Sequence, residues 1–228
     1  MTDDDAIIAA QRQVYRANFL QHGDSPLGTY QSNQVTQHLR FDGLMRHLLP
    51  HVRDGDTLHD VGAGLCDLYQ YLQLNEASRD LVYSGTEIVQ DMIDLAAAKY
   101  PHVRLLNRNF LETSEDRYDF VVLSGTFNIP AGVATEAWQQ MCMALVDKMF
   151  ERADKAISFN FLTSYRTFTD PELFYFDPLA MFHHATTRLS RFVHLDACYP
   201  LYECTVTVFR KEYLASLYDH DQLRKYFR

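Results

Sequence analysis

A single α/β domain, built on a mostly parallel seven-stranded sheet with helices on both faces, is the fold this sequence predicts. Three observations carry that expectation. An alternating apolar segment at Thr57–Val61 runs into two glycines, Gly62 and Gly64, and then into Leu65, Leu68, Tyr69 and Leu72 at helical spacing. Strand-like and helix-like segments then alternate along most of the chain, as parallel strands joined by crossover helices require. Two closing strands, at residues 192–198 and 204–210, are separated by a link too short for a crossover, so the last strand runs antiparallel.

The 228 residues suffice for one such domain with a full core and a cap. The aromatic share is high, with 14 Tyr and 15 Phe, which leaves ample material for a ring-lined pocket. A formal net charge of −9 argues against a nucleic-acid partner, since that binding rests on clustered Lys and Arg. No apolar run reaches membrane-spanning length, so no membrane partner is expected. The polar start Met1-Thr-Asp-Asp-Asp has no signal-peptide pattern. The four scattered cysteines (Cys66, Cys142, Cys198, Cys204) read as free thiols in a cytoplasmic protein. A homodimer is compatible with all of this.

In chain order, residues 4–21 form a helix carrying Ile7, Ile8, Val14, Tyr15 and Leu20, which stops in the turn-rich His22-Gly-Asp-Ser-Pro26. A second helix spans about 33–49, ended by Pro50 and Gly55. Residues 1–55 are therefore expected as an N-terminal helical cap on a core at 56–211, placing Tyr15, Tyr30 or Arg40 near its pocket. Gly62 and Gly64 let the backbone turn sharply and approach a ligand, because a Cβ there would clash. Leu81–Ile88 is the second strand. It ends at Glu87, a little over twenty residues past the glycines, where a nucleotide-binding fold needs a carboxylate for the ribose hydroxyls.

A helix from Asp91 to Tyr100 is stopped by Pro101 and leads to the third strand, Val103–Asn109, with Phe110 after it. Tyr118–Ser124 is apolar enough for the centre of the sheet. A long helix, Thr135–Arg152, holds the single tryptophan, and Ala156–Phe161 is the fifth strand. Residues 163–178 are too long and too aromatic for a plain connection and read as a lid-like insertion. A helix at 178–189, the closing strands with the turn Tyr199–Tyr202, and a C-terminal helix at 212–228 complete the chain.

The ligand is decided at the glycine turn. A dinucleotide fingerprint would put its third glycine at position 67, where the chain has Asp67. The acidic-x-G-x-G-x-G alternative is met by Asp60, Gly62 and Gly64, with Cys66 in the last place. Here the sequence resembles the class I S-adenosylmethionine (AdoMet)-dependent methyltransferases, which have a Rossmann-like fold, over about residues 35–211. The stretches His22–Pro26, Leu39-Arg40-Phe41 and Tyr199–Glu203 are similar to small stand-alone bacterial members.

That resemblance implies AdoMet as cofactor, S-adenosylhomocysteine (AdoHcy) as product, and a cofactor site at Asp60, Gly62, Ala63, Gly64, Glu87, Ile88, Asn109, Phe110, Ser124 and Gly125. Asn109 and Phe110 would meet the adenine, and the exit loop Ser124–Asn128 would lie beside the transferable methyl. Asn109 stands where the family usually has aspartate. Asn128-Ile-Pro130 is not the N-P-P-Y element of base-modifying members. The acceptor is expected to be a small, acidic molecule in an aromatic site formed by Tyr15, Tyr30, Tyr165, Tyr199 and Tyr202, with Arg40 or Arg166 pairing its charge.

No catalytic base is marked and no metal site is seen. His183 and His184 diverge around a helix, and His194 and Asp196 share a strand face as a structural pair. Two other classes stand beside this reading. One is a fold relative that binds AdoMet without transferring methyl. The other is an NAD-dependent oxidoreductase, disfavoured by Asp67 and the antiparallel ending.

Overall fold

Seven strands form one sheet in the computed structural model, which describes residues 3–112 and 114–227. Met1, Thr2, Thr113 and Arg228, the ends of the expected domain among them, lie outside the described residues. In chain order the elements are α1 (Asp3–His22), α2 (Gln34–Arg46), β1 (Thr57–Val61), α3 (Asp67–Gln73), β2 (Val82–Glu87), α4 (Gln90–Lys99) and β3 (Arg104–Asn107). They continue with β4 (Tyr118–Leu123), α5 (Thr135–Arg152), β5 (Ala153–Leu162), α6 (Pro178–His184), β6 (Val193–Asp196), β7 (Glu203–Phe209) and α7 (Lys211–Leu217).

The sheet order is β3-β2-β1-β4-β5-β7-β6. All neighbours among the first five strands pair in parallel, and β7 runs antiparallel to both β5 and β6. The expected sheet and its reversed last strand are therefore what the chain forms. Strand order reverses between β1 and β4, and in such sheets the ligand crevice opens beyond the carboxyl ends of the strands at that point.

Side chains alternate between the two faces of the sheet. Val121 and Leu123 of β4, Ile157, Phe159 and Phe161 of β5, and Val206 and Val208 of β7 pack against Trp138, Leu145 and Met149 of α5 and Met181 of α6. On the other face, Leu58, Phe120 and Val122 meet Leu44 and Met45 of α2, Leu48 just beyond it, and Leu68 and Leu72 of α3. So α2 is a layer of the sheet, whereas α1 lies across the crevice. Its Ile7 joins the α5 side, and Phe19 packs with Leu65, Val89 and Met92.

Three boundaries differ from the sequence reading. The second helix stops at Arg46, and a 3₁₀ turn at Leu49–His51 carries Pro50. The helix at 178–189 is α6 followed by a π-helical turn, Ala185–Leu189. The C-terminal helix is broken: α7 buries no residue, ends at Leu217, and is followed by a separate 3₁₀ turn at Arg224–Phe227. Only Tyr213 and Leu214 of α7 pack against the core, so packing adds little to propagate the helix further.

Candidate functional site

The glycine turn after β1 is held to β2 by main-chain bonds, Gly62 N–H and Ala63 N–H both donating to Thr86 O at 2.9 and 3.0 Å. Gly62 has φ +78°, and a Cβ there would lie 2.6 Å from Thr126 Oγ1. Gly64 has φ +53°, with Thr29 Cγ2 of the cap loop 3.3 Å from its Cβ direction. Cys66, in the place of the third glycine, is also left-handed at φ +62° and is fully buried as the cap of α3. Burial, and after it Asp60, pushes its thiol up to about 12.

Three carboxylates surround this turn. Glu87 Oε1 accepts from Ile88 and Val89 N–H at 2.7 and 2.9 Å, and its Oε2 accepts from Gly64 N–H at 3.0 Å. Burial still raises its pKa. Asp60 accepts a 2.6 Å bond from Tyr83 Oη. Burial pushes its carboxyl up to about 7 against that bond, with Glu87 and Asp67 adding. Asp67, also raised by burial, accepts from Gln37 Nε2 of α2 at 2.8 Å. A dry, like-charged cluster favours protonated acids until a cation arrives.

These groups line a cavity of about 1050 Å³, its open mouth included. All ten residues expected for the cofactor line it. Asn160 on β5 fixes the β4 exit, its Oδ1 accepting from Gly125 N–H at 2.8 Å and its Nδ2 donating to Ser124 Oγ at 3.2 Å. Phe110 is buried against the His59 ring, 5.3 Å between centroids.

Of the seven acceptor candidates, only Tyr15 lines the cavity. Tyr30 meets it edge-on at 5.2 Å and is partly exposed. Arg40 forms a 2.6 Å ion pair with Glu203 and donates to Gln31, so its charge is already matched. Arg166 stacks on Tyr175 at 3.7 Å and donates to Ser164 O. Tyr165 is exposed, and Tyr202 bonds Thr167 at 2.7 Å with Phe168 edge-on. Tyr199 departs from the expected rim: it is buried, with its hydroxyl 3.0 Å from Thr205, where α2 crosses the sheet at Gly43.

The cap and α5 supply lining residues that sequence reasoning missed, among them Gln11, Thr29, Gln31, Gln37 and Met141. Isolated glutamines and threonines carry no motif, so only the cap's length hinted at them. The histidines take structural positions. His184 Nε2 bonds Asp147 at 2.6 Å; Asp196 pairs with Arg46 rather than His194, whose ring stacks on His47 at 4.0 Å. Among the described residues, no group of three or more His, Cys, Asp or Glu is placed to hold a metal ion, and no helix is long and apolar enough to cross a membrane.

No protein-family model matches the chain. A Mycobacterium tuberculosis protein provisionally named a methyltransferase is 31% identical over 159 residues, which is 68% of this chain and 93% of that protein. Magnesium protoporphyrin IX methyltransferase of Synechocystis PCC 6803, solved with bound AdoMet, superposes with a TM-score of 0.63 at 14% identity, covering 92% of this chain and 98% of that one. A TehB-like AdoMet-dependent methyltransferase of Corynebacterium glutamicum gives 0.53 at 14% identity, over 86% and 98%. With the glycine turn, the reversed last strand and the acidic cavity, these likenesses lead to one conclusion: the chain belongs to the class I AdoMet-dependent methyltransferases, whose cofactor is AdoMet and whose product is AdoHcy.

Proposed function

We propose that the protein transfers the AdoMet methyl group to a small-molecule acceptor entering between the cap and the 163–178 insertion. The observation that carries the cofactor half is the acidic turn. Asp60, Asp67 and Glu87 face one cavity, and a ligand bearing a sulfonium and an ammonium matches that charge. Bound AdoMet supplies an electrophilic methyl, so the protein has chiefly to position and to exclude water. Glu87 keeps lone pairs beyond its three main-chain bonds for the ribose hydroxyls. Asn109, Ile88 and Phe110 would border the adenine, while Ser124 and Gly125, fixed by Asn160, would border the methyl.

The acceptor half rests on the mouth. On the cap side, Gln31 Nε2 lies 3.1 Å from the Cβ direction of Gly125 at the β4 exit. Phe174 N–H donates to Asn128 O at 2.8 Å, tying the insertion to the β4 exit. A mouth bordered by both segments at the β4 exit suits a small molecule better than a folded polymer. Calorimetric titration with AdoHcy and NAD tests the cofactor, with tight AdoHcy binding and none for NAD expected. Incubating acceptor pools with methyl-labelled AdoMet tests transfer; incorporation into protein or RNA alone would overturn the small-molecule reading.

A further inference from the structure

The cap loop strides across the cavity from one functional end to the other. Thr29 stands over Gly64 at the glycine turn, and two residues later Gln31 stands over Gly125 at the β4 exit, its Nε2 3.1 Å from where a Gly125 Cβ would be. Gln31 lines the cavity, so its amide borders the space in which methyl transfer is proposed to occur. What that amide presents there is fixed from behind. Arg40 donates through Nη1 to Gln31 Oε1, and its Nε and Nη2 are both spent on Glu203 Oε1 at 2.6 Å. Arginine has no acceptor, so only the amide oxygen can face it. Glu203 is 2% exposed and Arg40 is held against it, so Arg40 is not free to turn away. The Gln31 amide cannot flip, and its N–H₂ stays on the Gly125 side.

We infer that Gln31 is a specificity-determining residue, a locked hydrogen-bond donor that selects acceptors carrying a carboxylate. This rests on the AdoMet reading and names the acceptor class for that site. It also gives the expected acidic acceptor a partner other than Arg40, whose charge Glu203 already matches, and other than Arg166, which does not line the cavity. A donor fixed in place discriminates, because an acceptor lacking the matching oxygen leaves it unpaired.

The same donor chemistry could instead serve the carboxylate of the cofactor, and the experiment separates the two. AdoHcy is titrated first into the unmodified protein and Gln31→Glu; the glutamate keeps the Arg40 bond but replaces the donor with an acceptor. The AdoHcy complexes are then titrated with 4-hydroxybenzoate, 4-hydroxybenzyl alcohol and tyramine, which share a ring and differ in the charge of one arm. The expected result is an AdoHcy dissociation constant within threefold in both proteins. The unmodified complex should favour 4-hydroxybenzoate over tyramine by at least fivefold, and Gln31→Glu should lose that preference. A tenfold loss of AdoHcy affinity in Gln31→Glu overturns the inference by assigning the donor to the cofactor. So does the absence of an anion preference in the unmodified complex, or its survival in the variant. Failure of the unmodified protein to bind AdoHcy overturns the cofactor reading itself.

Discussion

Glu87 reaches back across 23 residues to take the Gly64 N–H at 3.0 Å, so the carboxylate at the end of β2 also shapes the glycine turn after β1. A residue expected to serve only a ligand is thus part of the scaffold. Glu87→Ala strands three N–H donors, those of Gly64, Ile88 and Val89. The expected outcome is at least a tenfold weaker AdoHcy dissociation constant together with a stability loss of about 1–3 kcal/mol. Calorimetry and urea denaturation measure the two. Weakened binding at unchanged stability would show that the main-chain bonds contribute nothing.

A Cβ at position 62 has two obstacles, the left-handed backbone and Thr126 Oγ1 at 2.6 Å. Gly62→Ala is expected to cost more than the ~1–2 kcal/mol of the backbone term alone. The same substitution in a Thr126→Ala background should cost only that term, since the hydroxyl is gone. Denaturation of the four proteins of this cycle gives the coupling; additive losses would place the obstacle elsewhere.

At Cys66 the usual ranking of core substitutions inverts. Its φ of +62° penalises any side chain, while its complete burial rewards one. Cys66→Ala keeps the penalty and loses the sulfur contacts. Cys66→Gly loses slightly more volume and regains about 1–2 kcal/mol of backbone strain. The glycine variant is therefore expected to be at least as stable as the alanine variant by thermal melting, whereas an ordinary core site would give the opposite order.

His59 and Asp60, adjacent on β1, pull stability in opposite directions with pH. Burial lowers the His59 imidazole from 6.5 to about 3, between Ser84 and Thr86, so below pH 6.5 only the unfolded chain takes up the proton and stability falls on acidification. Asp60 is raised from 3.8 to about 7, so across that window the folded chain keeps a proton the unfolded one has released, and stability falls as pH rises. Each slope approaches about 1.4 kcal/mol per pH unit. Relative to the unmodified protein, Asp60→Asn should gain stability with rising pH between 4 and 6.5, and His59→Gln should lose it. Urea midpoints at pH 4, 5 and 6 test this; parallel curves for all three would refute it.

The sheet was legible because period-2 and period-3.6 patterns survive wherever one face is buried. Tyr118–Leu123 and the reversed β7 are cases in point. The C-terminal helix is shorter than its pattern predicts, since only Tyr213 and Leu214 of α7 reach the core and the residues beyond Leu217 have no such contact to hold them helical. Gly62, Gly64 and Glu87 could be brought to one cavity from sequence because their spacing follows from main-chain geometry. The acceptor side was not. The destinies of Arg40 and Tyr199 depend on Glu203 and Thr205, more than 150 residues beyond Arg40 and six beyond Tyr199, on a strand whose register no local pattern reveals.

The way α1 is anchored bears on the order in which the molecule is assembled. Gln11 donates to Ile129 O, Arg12 to Ile88 O, and Arg16 pairs with Asp91, so beyond its contacts with the neighbouring cap loop α1 is tied down by segments 75 to 118 residues further along the chain. During synthesis those distant partners emerge only after α1 and its cap loop. Its docking is then a late event that closes a cavity other elements have already shaped. A helix made before these partners is fastened after them, and amide exchange along α1 should report the opening of that final seal before any strand exchanges.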